Sequence, residues 1–444
     1  MTEMQKPTQL SQDTNSQNQA LSDNKQEYVT PSSDVVVKEE GASILNATAN
    51  ICKTGLGLGM LFMPLIFSKT GVYIPILCLV FFGILCFYCW NLLGIVLRHV
   101  SQSEKYNKTQ LYQEYKDILI LENTLAIVFS PGWKIFCQII NGLNMYGGCL
   151  GYVIFITQSF EPYISNYILR ICIIVAIYLP LCFLKDIKAY GKFSSIALTI
   201  YTIVVLTIIG KSLDVIRKDE YPDEPIILNG WNTILEYIGI FILAYDVNGT
   251  VGLVHASMRE KKRFFIPLSI YIIFACCVGT ILGLCGYFAY RDQIGDIIFK
   301  NIGSLNGGGD ALLFFYCFTL IMSICLYGFV LTRMIDTAIW KKDENTIRQT
   351  VSIFYRFPIR IAFIGSLALL AYVYPSASNL FSLLGCIFGV ILTYILPCIL
   401  YEKIFFGTKM SKIRVCNYIV MAIGAAGGIA GFVYSLKDLI NSYQ

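Results

Sequence analysis

A carboxylate, Asp246, stands near the middle of an apolar run, inside the stretch YDVNG from Tyr245 to Gly249. An acid at that depth of a bilayer is costly and by default marks an ion or substrate pathway. Asn248 and Gly249 beside it are poor helix formers that let the chain turn. Tyr245 brings a ring and a hydroxyl to the same level. Such a group suits capture of a proton or of a substrate ammonium. The bland alternative is that Asp246 only caps a half-helix, or pairs with Lys53 as a structural ion pair.

A second run, NATANICKTGLGLGMLFMPLIFSK over 46 to 69, is broken at its middle by Gly55, Gly57 and Gly59 and then by Pro64. Lipid offers no hydrogen bonds, so a span that gives up ladder bonds must show its peptide groups to protein, water or ligand. The main chain of Thr54, Gly55, Leu56, Gly57, Leu58 and Gly59 is therefore a candidate substrate site. A half-helix beginning near Leu58 would aim free N–H groups at an anion such as a carboxylate. The alternative is a small-xxx-small contact through Gly55 and Gly59 with another helix. Lys53, seven residues into the run, is explained by snorkelling toward the cytosol. Two spans interrupted at matching places point to a secondary transporter.

Three further side chains could take part. Tyr152 follows Gly147, Gly148 and Gly151, one turn beyond the first pair, and its hydroxyl at mid-depth needs either substrate or a neighbouring carbonyl as partner. Thr319 and Ser323 are four apart and share a helix face, where with unwound carbonyls they could ligate a sodium ion. Such hydroxyls also bond their own backbone. The chain has two histidines, and His255 is read as an interfacial side chain at a span end. No metal-ligand spacing or catalytic constellation is present, so neither an enzyme nor a firm metal site is expected, and no cofactor or nucleic-acid partner.

These residues need a membrane scaffold to hold them. The 444 residues are 56% hydrophobic and 14% charged, with a mean hydropathy of +0.62, which describes an all-α polytopic membrane protein. Eleven apolar runs are long enough to span a bilayer: about 46 to 68, 71 to 97, 132 to 160, 164 to 184, 190 to 211, 231 to 256, 265 to 289, 310 to 332, 357 to 374, 378 to 401 and 415 to 436. Residues 1 to 42 read as a disordered cytosolic tail, 43 to 436 as the transporter domain, and 437 to 444 as a short non-cytosolic tail. No cleavable signal peptide is expected. The sixteen cysteines fall in or beside spans, where they act as small apolar residues rather than disulfide partners.

Lys and Arg collect in alternate loops, among them Lys185, Lys188 and Lys192, and Arg259, Lys261, Lys262 and Arg263. That puts the N-terminus inside and the C-terminus outside or luminal. With an odd number of spans, two five-span repeats at about 46 to 212 and 229 to 401 must be inverted, with an extra helix at 415 to 436.

The segments KTGLGLGMLFMPLIFSKTG, YGGCLGYVIFITQ, Asp246 to Glu260, and YPSASNLFSLLGCIFGVILTYILPCILYEK resemble, in that order, the first, third, sixth and tenth spans of the amino acid/auxin permease family. The resemblance covers about residues 42 to 436 and is nearest to the proton-coupled amino acid transporters, whose sixth span carries an acid where this chain has Asp246. It implies a LeuT-type five-plus-five inverted repeat plus one helix, with amino acid bound between spans one, three, six, eight and ten. DVNGTVGLVH departs from the more apolar, Pro-containing break the family would supply. The expected function is proton-coupled amino acid transport at a plasma membrane or a lysosome- or vacuole-type membrane. The alternatives are sodium coupling, or an amino acid sensor that signals through its N-terminal tail.

Overall fold

The computed structural model describes residues 41–116, 119–181, 187–220, 233–302, 308–340, 353–374, 376–405 and 412–441. The polar tail up to residue 40, the basic residues Lys185, Lys341, Lys342, Arg348 and Lys409, and Trp231 lie outside the described residues. Within them the chain is helical with no strand. One isolated parallel bridge joins Ala42 to Met258.

The first apolar run divides into α1 (Ile44–Gly55), α2 (Leu58–Leu61) and α3 (Met63–Thr70). Ser43 caps α1, its hydroxyl oxygen accepting the Asn46 N–H at 3.3 Å. Pro64 sits in the first turn of α3, where a missing N–H costs nothing. Gly71, at φ 83, ends α3 in a conformation that favours glycine. Then come α4 (Tyr73–Gln102), α5 (Leu121–Val128), α6 (Pro131–Ser159), α7 (Tyr167–Leu181) and α8 (Ile187–Arg217). The sixth run divides into α9 (Ile234–Leu243) and α10 (Asn248–Ser257), followed by α11 (Phe265–Tyr290), α12 (Gly308–Trp340) and α13 (Ile353–Val373). Last are a continuous rod of α14 (Ala377–Leu384), a π-helical segment Gly385–Ile395 and α15 (Leu396–Phe405), and then α16 (Lys412–Asn441). That final helix runs five residues past the expected end at 436.

Eight helical stretches among the described residues are long and apolar enough to cross a membrane: α4, α6, most of α8, the α9–α10 pair, α11, most of α12, the α14–α15 rod and α16. α7 and α13 carry shorter apolar stretches on the fourth and ninth runs, and the first run is too fragmented to count by length. The outward faces carry Leu77, Ile84, Ile273, Leu369 and Ile429 exposed. In water so much apolar surface would drive association, whereas lipid is its natural solvent. The chain is a polytopic helical membrane protein.

Inside, α11 packs on α1, α3, α4 and α8, while α6 packs on α12 and α14. The closest approach is between α9 and the rod. A methyl at Gly239 would lie 1.8 Å from the Ser382 carbonyl oxygen, and one at Gly385 would lie 1.9 Å from that of Gly239. Backbones in such contact demand glycine on both sides. The Ser382 and Ser435 hydroxyls both donate to the Glu236 carbonyl, tying α9, α14 and α16 together. The described cysteines are free thiols.

Candidate functional site

The break in the first run comes where the glycines are. α1 ends as the Leu56 N–H donates to the Cys52 carbonyl, Leu56 turns to φ −82, ψ 92, and Gly57 is extended at φ −124, ψ −167. The next helix starts at Leu58, so its first amides have no carbonyl four residues back. No side chain caps this start. Of the three glycines only Gly55 is demanded by packing, since a methyl there would lie 2.1 Å from the Tyr271 hydroxyl on α11. A methyl on Gly59 would sit 3.5 Å from the Ala244 Cα, so the two interrupted spans touch at their breaks. One on Gly57 would meet nothing within 4 Å.

The second break is built from side chains. α9 tightens at its end, with the Tyr245 and Asp246 amides donating to the Ile242 and Leu243 carbonyls at 3.4 and 3.0 Å. Val247 leaves helical geometry at φ −129, ψ 23, and α10 begins at Asn248. One oxygen of Asp246 accepts the Asn248 N–H at 2.9 Å, and the other accepts the Asn144 side-chain amide of α6 at 3.2 Å. Asp246 therefore does cap the half-helix, and it also reaches across to a neighbouring helix.

Both breaks open on one cavity of about 500 Å³, within the range of small-molecule sites. Its lining takes in Thr54, Gly55, Leu56, Gly57, Leu58 and Gly59 of the first break, and Asp246, Asn248 and Gly249 of the second. Tyr152 of α6 and Thr319 and Ser323 of α12 complete the sequence-derived residues that line it, and Lys53 lines it as well. Two polar groups there have no hydrogen-bond partner among the described residues: both side-chain atoms of Asn248, and the hydroxyl of Tyr201 on α8. Buried polar groups are nearly always paired, so these are the lining groups whose bonding capacity the described residues leave open. The Thr319 and Ser323 hydroxyls donate to the carbonyls of Tyr316 and Thr319 at 2.7 and 3.0 Å, the backbone-bonded arrangement their sequence also allowed. Their oxygens keep lone pairs for a further partner.

Tyr245 corrects the sequence reading. It is fully buried outside the lining, and its hydroxyl donates to the Leu79 carbonyl of α4 at 2.9 Å. Neighbouring residues of a helical turn point in different directions, so that Asp246 lines the cavity while Tyr245 faces α4. His255, near the end of α10, is buried and lies edge-on to Phe264 with centroids 5.3 Å apart. Sequence reasoning passed over Asn141 and Asn144, which line the cavity from α6, and Tyr327 and Phe381, which form its aromatic wall with Tyr152. Tyr152 stacks on Tyr327 with centroids 6.2 Å apart and planes at 18°, and Phe381 lies 6.3 Å from it. The two amides three apart in an apolar span were the available signal, because they share a helix face.

Comparison with known proteins meets this geometry from outside. Amino acid transporter AVT3A of Arabidopsis thaliana is 23% identical to the chain over 412 residues, covering 89% of each. Amino acid transporter ANT1 of the same plant is 23% identical, covering 88% of this chain and 93% of its own length. The vesicular inhibitory amino acid transporter of Xenopus laevis is 20% identical over 91% of this chain and 77% of its own. Residues 40–437 match the family described as transmembrane amino acid transporter protein. That match runs across both breaks and every helix that lines the cavity, and with it the chain belongs to this family of non-enzymatic transporters, the amino acid/auxin permeases that its four span motifs resemble.

Proposed function

We propose that the protein is a secondary active transporter that moves an amino acid across a membrane together with a proton. The observation that carries this reading is the single cavity shared by the two broken spans, with Asp246 at one break and uncapped peptide groups at the other. The substrate carboxylate binds the main chain between Thr54 and Gly59, at the start of the helix that opens at Leu58, whose first N–H groups have no carbonyl four residues back. Asn248 contributes a side-chain amide that has no hydrogen-bond partner among the described residues. Asp246 takes the proton or the substrate ammonium, since an acid inside a membrane is retained for such a role. Eleven spans with the N-terminus cytosolic, arranged as two inverted five-span repeats and one added helix, let one bundle rock against the other around this site. The membrane is a plasma membrane or a lysosome- or vacuole-type membrane.

The test is uptake of labelled amino acids into liposomes carrying the purified protein, with an imposed pH gradient. Asp246→Asn keeps the size of the side chain and removes its proton site. It is expected to abolish pH-driven uptake while leaving the protein in the membrane. Unchanged proton dependence in that variant would remove Asp246 from the mechanism. Replacing sodium by choline separates the reading from sodium coupling through Thr319 and Ser323, since a proton carrier is indifferent to the exchange.

A further inference from the structure

We propose that the substrate is a neutral amino acid with a bulky apolar or aromatic side chain, and that Gly148 sets how large that side chain can be. The inference rests on the transport reading above and goes on to the substrate class. On α6 the residues Asn144, Gly148 and Tyr152 are four apart and line the cavity in a row. Asn144 holds Asp246, at the end where the substrate's charged groups bind. Tyr152 belongs to the aromatic wall. Gly148 lies between them.

The glycines of α6 are not alike. A methyl at Gly147 would come within 2.2 Å of Leu384, and one at Gly151 within 2.1 Å of Phe381, so their missing side chains are used up by packing against the rod. A methyl at Gly148 would meet no heavy atom within 4 Å. The space it leaves belongs to the cavity, and it lies one turn from the ring of Tyr152. The wall beyond is made by Tyr152, Tyr327 and Phe381 with Met322, Leu326 and Leu384. An apolar side chain laid over Gly148 against these rings loses part of its contact with water, and a ring gains edge or face contacts as well. Among the lining residues only Lys53 and Asp246 are charged, and both sit on the interrupted spans where the substrate's backbone binds. An ionised substrate side chain would leave water for a wall of phenyl and phenol rings that carries no opposite charge, which is unfavourable.

The experiment uses the full chain in liposomes under the same pH gradient, with labelled glycine, alanine, leucine, phenylalanine, glutamate and lysine offered separately. Leucine and phenylalanine are expected to exceed the other four in kcat/KM by roughly tenfold. In Gly148→Leu the ratio of phenylalanine to alanine kcat/KM is expected to fall at least about tenfold, mainly through KM, and in Gly148→Ala by a smaller step in the same direction. Gly148→Ala adds one methyl into open space and favours the helix, so it serves if the larger side chain impairs folding. A parent protein that prefers glycine, glutamate or lysine overturns the substrate class. Variants that depress phenylalanine and alanine alike overturn the role of Gly148. In both cases transport itself stands. If none of the six amino acids enters, the transport reading fails together with the inference built on it.

Discussion

The two interruptions are made by opposite means. At the first, glycine does the work: Gly57 is extended, no side chain caps the helix that follows, and Gly57, Leu58 and Gly59 line the cavity. At the second, side chains do it: Asp246 accepts the Asn248 amide and ties the turn to Asn144 on α6. A break without side-chain partners keeps its main chain available for a ligand, whereas a break held by a carboxylate is sensitive to the state of that carboxylate. An ionised carboxyl only accepts hydrogen bonds, and a protonated one turns one oxygen into a donor. Under the transport proposal, binding a proton at Asp246 thus acts on the shape of the second break while the first holds the substrate. Under that proposal, recognition falls to one span and coupling to the other.

That division can be broken most sharply at the first interruption. Gly55→Ala drives a methyl to 2.1 Å from the Tyr271 hydroxyl in a fully buried contact. A loss of about 3 kcal/mol is expected from such overpacking, read as a lower melting temperature or loss of folded protein in detergent. Gly57→Ala, two residues on, adds its methyl to open space at a φ that any residue adopts. It is expected to fold as the parent does and to raise KM for substrate. Equal effects of the two substitutions would erase the distinction between a packing glycine and a recognition glycine.

The second interruption gives the next effect in size. Asn144→Ala removes one of the two hydrogen bonds on Asp246 and leaves the Asn248 amide in place. A hydrogen bond to a charged group contributes about 1.5–3 kcal/mol, so uptake is expected to fall roughly tenfold, with its pH profile displaced. A fall in rate with an unmoved pH profile would make Asn144 a structural residue and leave the coupling to Asp246 alone.

How much of this was legible follows from where the information lies. Both breaks could be read because glycines, and Asn248-Gly249 beside an acid, act on their own backbone. Asp246 stood out because charge in an apolar run has one main explanation. Eleven apolar runs could be read from length and composition, and eight helical stretches among the described residues are long and apolar enough to cross a membrane. The cavity's aromatic wall could not be read, because Tyr152, Tyr327 and Phe381 come from three helices and meet only through packing. Tyr245 could not be placed from its depth alone, because a residue at the same level as Asp246 but next to it in sequence points to another side of the helix. The π-helical segment after α14 left no mark in composition either, since it differs from its flanks only in bonding.

The smallest expected effect settles the place of that tyrosine. Tyr245→Phe deletes a hydroxyl whose partner, the Leu79 carbonyl, lies within α4 and so retains a helical bonding direction. The cost is a typical net hydrogen bond of about 1 kcal/mol, visible as a modest drop in melting temperature. Because the hydroxyl points away from the cavity, KM for substrate is expected to stay within about twofold, far below what one lost charged hydrogen bond would produce. A KM that rises tenfold in Tyr245→Phe would mean that the side chain turns inward during the transport cycle. The second break would then serve recognition as well as coupling, and the contrast between the two interruptions would hold for one state of the cycle only.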